Sequence, residues 1–129
     1  MPAHESSERP KLQSSRNLGF ALDCHGGCVV LRVEGEVDVS NAGALGTNLR
    51  QLVETDHVVV DLTGVSFMDS TGVSALIAAT KHAANSGTSM RVAGATRAVM
   101  LTLQIVGVDT YLGHKESVAD AIAATQTTR

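Results

Sequence analysis

The sequence predicts a single α/β domain, with a mixed sheet of four to five strands and about four flanking helices. Three observations predict it. Val58 to Leu62 is an almost unbroken β-branched and aliphatic run, the pattern of a short strand covered on both faces. Asp69-Ser70-Thr71, side chains suited to capping the free N–H groups of a helix, then precedes Val73, Leu76, Ile77, Thr80 and Ala84 at helical spacing. A strand and a helix lie before this segment and a further strand lies after it. Two strand–helix–strand units therefore share Val58–Leu62, and such units make parallel neighbours with right-handed crossovers.

A chain of 129 residues can bury a sizeable core as one domain, and 43% of its residues are hydrophobic. Phe20, Phe67 and Tyr111 are its only aromatics, so Val, Ala and Leu must fill that core.

Residues 1–16, polar, aperiodic and holding both prolines, read as a disordered tail before a domain at 17–125. Phe20 and Leu22 alternate with small or polar neighbours towards Cys24, a first strand. His25-Gly26-Gly27 reads as a tight three-residue turn, which would set Cys24 opposite Cys28 across the ladder. Val29, Leu31, Val33 and Val37 then fall on one face of a second strand, with Arg32, Glu34 and Glu36 on the other. Ser40 or Asn41 is placed to cap a helix whose apolar stripe is Ala42, Leu45, Leu49, Leu52 and Val53. The central strand leads through Thr63–Phe67 into the helix of the 70s, which Asn85-Ser86-Gly87 ends. Ser89–Ala93 gives a short strand and Arg97–Val106 a helix stopped by Gly107. Thr110–Leu112 reads as an edge strand, and Ser117–Asp120 as a capping box opening a last helix through Val118, Ala121, Ile122 and Thr125. Residues 126–129 are expected to fray.

Ser70 carries the most definite chemistry. At a helix N-terminus the first N–H groups are unpaired and the macrodipole is positive, so a phosphate there is electrostatically favourable. It would leave the fold intact and add nearly two negative charges to a surface that already carries Asp69. Plain capping by Asp69, Ser70 and Thr71 is the competing reading.

Other classes are argued against. A net charge of −3, with no basic patch and no interleaved aromatics, excludes a nucleic-acid partner. No apolar run is long enough for a membrane span and no signal-peptide layout begins the chain, which sets the expected compartment as the cytoplasm. Cys24, Cys28 and His25 form no familiar metal spacing, so no metal and no cofactor is expected, and the thiols are expected to be reduced. Met68 replaces the first glycine of a G-x-S-x-G nucleophile elbow, and no phosphate-binding glycine motif occurs, so Ser70 is not expected to be a catalyst.

GEVDVSNAGAL (35–45), VVVDLTGVSFMDSTGVSALIAA (58–79) and RVAGATRAVMLTLQIVGVDTYL (91–112) together resemble the STAS-domain anti-sigma factor antagonists of bacterial partner switching, over about residues 18–124. The resemblance implies a STAS-like sheet flanked by helices and phosphorylation of the serine after the motif's aspartate, here Ser70. It implies that the unphosphorylated form binds an anti-sigma factor of serine-kinase type and releases sigma factor, and that a PP2C-type phosphatase reverses the modification. Asp38, matching the aspartate of the G-E-x-D element, is implied to lie near the same interface with Asp69, Ser70, Thr71, Gly72 and Val73; a turn residue is the other reading of Asp38. Gly72 allows close approach of another backbone, or simply a tight first helical turn. Many members continue the motif with leucine and glycine, whereas this chain has Val73 and Ser74. Thr71 and Ser74 are thus secondary phosphorylation candidates. The alternative function is a ligand-sensing or scaffold STAS domain without Ser70 modification, and a monomer or weak dimer is expected.

Overall fold

The computed structural model describes residues 12–127. Its elements run β1 (Leu18–His25), β2 (Cys28–Val37), α1 (Ala42–Val53), β3 (His57–Met68), α2 (Ser70–Asn85), β4 (Met90–Ala93), α3 (Arg97–Val106) and α4 (Val118–Thr127). The four strands form one mixed sheet in the order β1-β2-β3-β4. β1 and β2 pair antiparallel, while β3 is parallel to both β2 and β4.

One face of the sheet carries the main core. Val29, Leu31 and Val33 of β2 and Val58, Val60 and Leu62 of β3 pack there with Leu45, Leu49 and Leu52 of α1, Val73, Leu76, Ala79 and Ala83 of α2, and Val99 and Leu103 of α3. Aliphatic side chains fill the role that few aromatics could. The opposite face is covered only in part: Cys28, Val30, Val59 and Ala93 meet Ala121 of α4. Further along that face Arg32 and Glu34 are exposed, so β2 alternates there as its sequence predicts.

β3 is longer than the predicted strand because it runs through Thr63–Phe67 to Met68, twelve residues against the ten of β2. Two register shifts absorb the excess, one where Arg32↔Asp61 steps to Glu34↔Gly64 and one where Gly35↔Val65 steps to Glu36↔Phe67. Each bulge inverts the alternation of sides. Leu62, Val65 and Met68, three apart and not two, therefore all point into the core while Phe67 is turned out.

Several local expectations change. The β1–β2 turn holds only Gly26 and Gly27, both at positive φ (51° and 86°), and His25 pairs directly with Cys28. Cys24 is thus opposite Val29, which puts the two thiols on opposite faces of the sheet; Cys24 is exposed and Cys28 buried. In α2 the buried stripe passes through Ala79 and Ala83, leaving Ala84 exposed and Thr80 half-buried with its hydroxyl donating to the Leu76 carbonyl. Thr110–Leu112 is a turn and no strand. The edge of β4 is instead lined by the chain just beyond, where Val92 N–H donates to the Leu112 carbonyl, Lys115 N–H to that of Val92 and Gly94 N–H to that of Lys115. At the C-terminus the helix persists to Thr127, with Thr125 buried; residues 128–129 of the expected frayed end lie outside the described residues.

His114 sits beside the start of α3, where its Nε2 accepts the Ala95 N–H at 3.3 Å. A cleft of about 500 Å³ opens there between α3 and the His114–Glu116 segment. Burial lowers the His114 pKa, against the opposing charges of Glu116 and Asp109. The folded state therefore prefers the neutral ring, and this stabilisation is present above the unfolded value of about 6.5 and lost as pH falls below it. His114→Gln is expected to flatten the loss of thermal stability between pH 7 and pH 5, measured by melting at constant ionic strength.

Candidate docking and modification site

The carboxyl ends of the parallel strands β2 and β3 emerge side by side, the usual place for a site in such a sheet. Asp69 N–H donates to the Val37 carbonyl at 3.1 Å, which ties the start of α2 to the end of β2 and brings Asp38 alongside Asp69. Two loops from distant parts of the sequence thus share one surface.

Asp69 is the N-cap of α2, in an extended conformation. Its Oδ1 accepts the N–H groups of Thr71 (2.9 Å) and Gly72 (3.4 Å) and also the Thr71 hydroxyl. These bonds, the Thr71 hydroxyl foremost, hold the Asp69 carboxyl below the usual carboxylate range. A depressed carboxylate pKa stabilises the fold above the unfolded value of about 3.9 and loses that contribution as pH falls through the folded value. Asp69→Asn is expected to keep the cap but shift acid unfolding to a shallower dependence below pH ~4, followed by circular dichroism.

The three hydroxyls differ. Ser70, the first residue of α2, is exposed, and its hydroxyl has no hydrogen-bond partner among the described residues. Thr71 is half-buried and its hydroxyl is spent on Asp69. Ser74 is exposed one turn further along.

Gly72 and Val73 face inward. A Cβ on Gly72 would stand 2.6 Å from Met68 Cγ and 2.7 Å from Val37 Cγ1, so the residue is glycine because the helix is seated directly on the two strand ends. Val73 is 2% exposed and belongs to the core beneath the surface.

Asp38 shapes its own loop. Its Oδ1 accepts Ser40 N–H (2.9 Å) and the Ser40 hydroxyl (2.6 Å), and its N–H donates to Asn41 Oδ1 (3.0 Å). Ser40 and Asn41, expected as caps of α1, are engaged in this loop instead; Asn41 occupies the cap position but its side chain makes no capping bond. Two exposed apolar side chains lie close in sequence to the two aspartates, Val39 next to Asp38 at 78% exposure and Phe67 two residues before Asp69 at 47%. Sequence reasoning passed over both. A hydrophobic residue between Asp38 and Ser40 was a readable signal, whereas the outward turn of Phe67 depends on a bulge that no pattern announced.

The four described histidines lie elsewhere: His25 closes β1 at the hairpin turn, His57 Nδ1 meets Ser89 Oγ at 2.9 Å, His82 Nε2 meets Glu54 Oε2 at 2.9 Å, and His114 binds Ala95. Among the described residues no group of three His, Cys, Asp or Glu side chains could hold a metal ion, and no helix is long and apolar enough to cross a membrane.

Fold and site together define a class: a small α/β domain on a mixed four-stranded sheet whose candidate site is a surface at the strand ends. The chain belongs to the STAS domain family, whose model matches residues 20–121. Among solved structures it is similar to an anti-sigma factor antagonist from Mycobacterium paratuberculosis, at 25% identity and a TM-score of 0.77 over 84% of this chain and 94% of that one. It is also similar to the anti-sigma factor antagonist SpoIIAA in its unphosphorylated form, at 17% identity and a TM-score of 0.72 over 86% of this chain and 99% of that one. The same fold occurs within the murine anion transporter Slc26a9, at 18% identity and a TM-score of 0.68 over 91% of this chain and 23% of the transporter.

Proposed function

We propose that this protein is an anti-sigma factor antagonist that works as a phosphorylation-controlled partner switch in the cytoplasm. The observation that carries the reading is the exposed, unengaged hydroxyl of Ser70 at the N-terminus of α2, beside an ionised Asp69. Likeness to the Mycobacterium paratuberculosis antagonist supports the partner class. In the unmodified state the surface of Asp38, Val39, Phe67, Asp69 and Ser70 receives the anti-sigma factor, and sigma factor is released.

The anti-sigma factor is also the kinase. The γ-phosphoryl group of ATP passes to Ser70 Oγ, the hydroxyl proton is lost and ADP leaves. Ser70 is the substrate of that reaction and not its catalyst. Thr71 is the weaker acceptor because its hydroxyl is committed to the Asp69 carboxylate. The helix N-terminus stabilises the phosphate, so the fold persists while the docking surface gains charge. A PP2C-type phosphatase restores the binding form. The chain works as a monomer or weak dimer.

Phosphopeptide mapping of the protein from its own cells, resting and stressed, tests this. Occupancy at Ser70 that changes with condition is the expected result. A Ser70 that stays unmodified in every condition, in protein still held in a complex, overturns the switch in favour of a ligand-sensing or scaffold STAS domain.

A further inference from the structure

Residues 12–16, assigned from sequence to a disordered tail, are already fastened to the fold, while residues 1–11 lie outside the described residues. Contacts at Asn48, Asn41 and Gly35 fasten the backbone of the segment from Leu12 to Asn17. Asn48 of α1, fully buried, accepts Gln13 N–H at its Oδ1 (2.7 Å) and donates from Nδ2 to the Gln13 carbonyl (3.1 Å), a side-chain imitation of a strand bridge. Asn41, 1% exposed, donates to the Arg16 carbonyl at 3.2 Å. Asn17, in the left-handed region at φ 63°, brings its carbonyl so close to Gly35 that a Cβ there would lie 2.3 Å from it.

Asn41 does more than hold the segment. The same amide nitrogen donates to the Glu36 carbonyl at 2.8 Å, and its oxygen accepts Asp38 N–H at 3.0 Å. Every polar atom of this buried side chain is engaged, and its partners are the N-terminal segment on one side and, on the other, the Glu36 carbonyl and Asp38 N–H where β2 passes into the loop. A buried amide that loses one partner must rearrange or stay unsatisfied. Leu12 also packs against the main core and Ser15 bridges Leu18, while a cleft of about 340 Å³ opens between residues 12–15 and Leu18–Phe20.

We infer that Leu12–Asn17 is a strap that positions the docking face, its attachment communicated by Asn41 to the Asp38–Ser40 loop. The inference deepens the docking role proposed above and rests on it for its functional meaning. Asn41 is a positioning residue: it is buried behind the loop that would meet the partner.

Amide hydrogen exchange on the full-length protein tests the coupling. In Gln13→Pro, which removes the N–H donated to Asn48 and alters no core residue, the amides of Asp38 and Ser40 are expected to exchange about tenfold faster, with those of Val58–Leu62 unchanged. Asn48→Ala is expected to do the same and also to expose the Gln13 amide. Wild-type exchange at Asp38 and Ser40 in Gln13→Pro overturns the inference, as does acceleration spread equally over β3. The measurement is made on isolated protein, so it decides the coupling whichever way the Ser70 phosphopeptide map decides the switch.

Discussion

Gly72→Val is expected to be the most destabilising single change near the site, lowering unfolding free energy by about 3 kcal/mol or leaving the protein insoluble. In an exposed helix, replacing glycine usually gains stability, roughly 1 kcal/mol for alanine. Here the first added carbon already lies 2.6 Å from Met68 Cγ and 2.7 Å from Val37 Cγ1. Both neighbours are at most 1% exposed, and Val37 is a stiff β-branched side chain in a strand, so neither can retreat into solvent. Overpacking of this kind costs about 1–3 kcal/mol for small additions and the second branch of valine adds to it. Gly43 in α1 is the control, since a Cβ there meets nothing within 4 Å. Gly43→Ala should stabilise by up to about 1 kcal/mol and Gly72→Ala should destabilise, compared by urea unfolding at equal slopes. A Gly72→Ala protein as stable as Gly43→Ala would mean that α2 is not seated on the strand ends as described.

The contrast between these glycines also marks the limit of what the sequence could say. Helical periodicity located α1 residue by residue, because a stripe three and four apart is unaffected by what packs on it; Ala42, Leu45, Leu49, Leu52 and Val53 are all buried as expected. Strand β2 was legible for the same reason at period two. β3 was legible only to Leu62, since each of its two bulges inverts the alternation and the stretch from Thr63 to Met68 then mimics a loop. The helix start at Asp69-Ser70-Thr71 was readable from local chemistry, and its cap is Asp69.

What was not readable is which particular side chain of one segment another segment meets. Asn41 has the chemistry of a helix cap, and nothing local says that Glu36, Asp38 and Arg16 would claim its amide first. Polar composition made residues 12–16 look like tail, because the two asparagines that hold them sit on or beside a helix far along the chain. The turn at Gly26-Gly27 shows the same limit on a smaller scale: one residue of loop length decides whether Cys24 faces Cys28 or Val29.

Ser70→Glu is expected to abolish anti-sigma factor binding, weakening it by about 100-fold or more, while Ser70→Ala binds like the wild type. The proposed docking surface already carries Asp38 and the ionised Asp69, with the exposed, neutral hydroxyl of Ser70 beside Asp69. A carboxylate at position 70 would have to be buried against a partner surface that, under the proposed function, fits a neutral hydroxyl, and a charge buried without a counter-charge costs several kcal/mol. The same charge lies at the start of α2, where the macrodipole favours it by about 0.3–1 kcal/mol, partly offset by the neighbouring Asp69. Binding and stability should therefore separate: Ser70→Glu should melt no lower than the wild type while losing its partner. Glutamate carries one charge where phosphoserine carries nearly two, so true phosphorylation should weaken binding further. Titration calorimetry of the anti-sigma factor with wild type, Ser70→Ala and Ser70→Glu, beside their melting curves, decides it. Equal affinity across the three proteins would remove Ser70 from the interface and leave the modification without a mechanism here, whereas loss of affinity together with loss of stability would trace the effect to an opened α2 and not to charge.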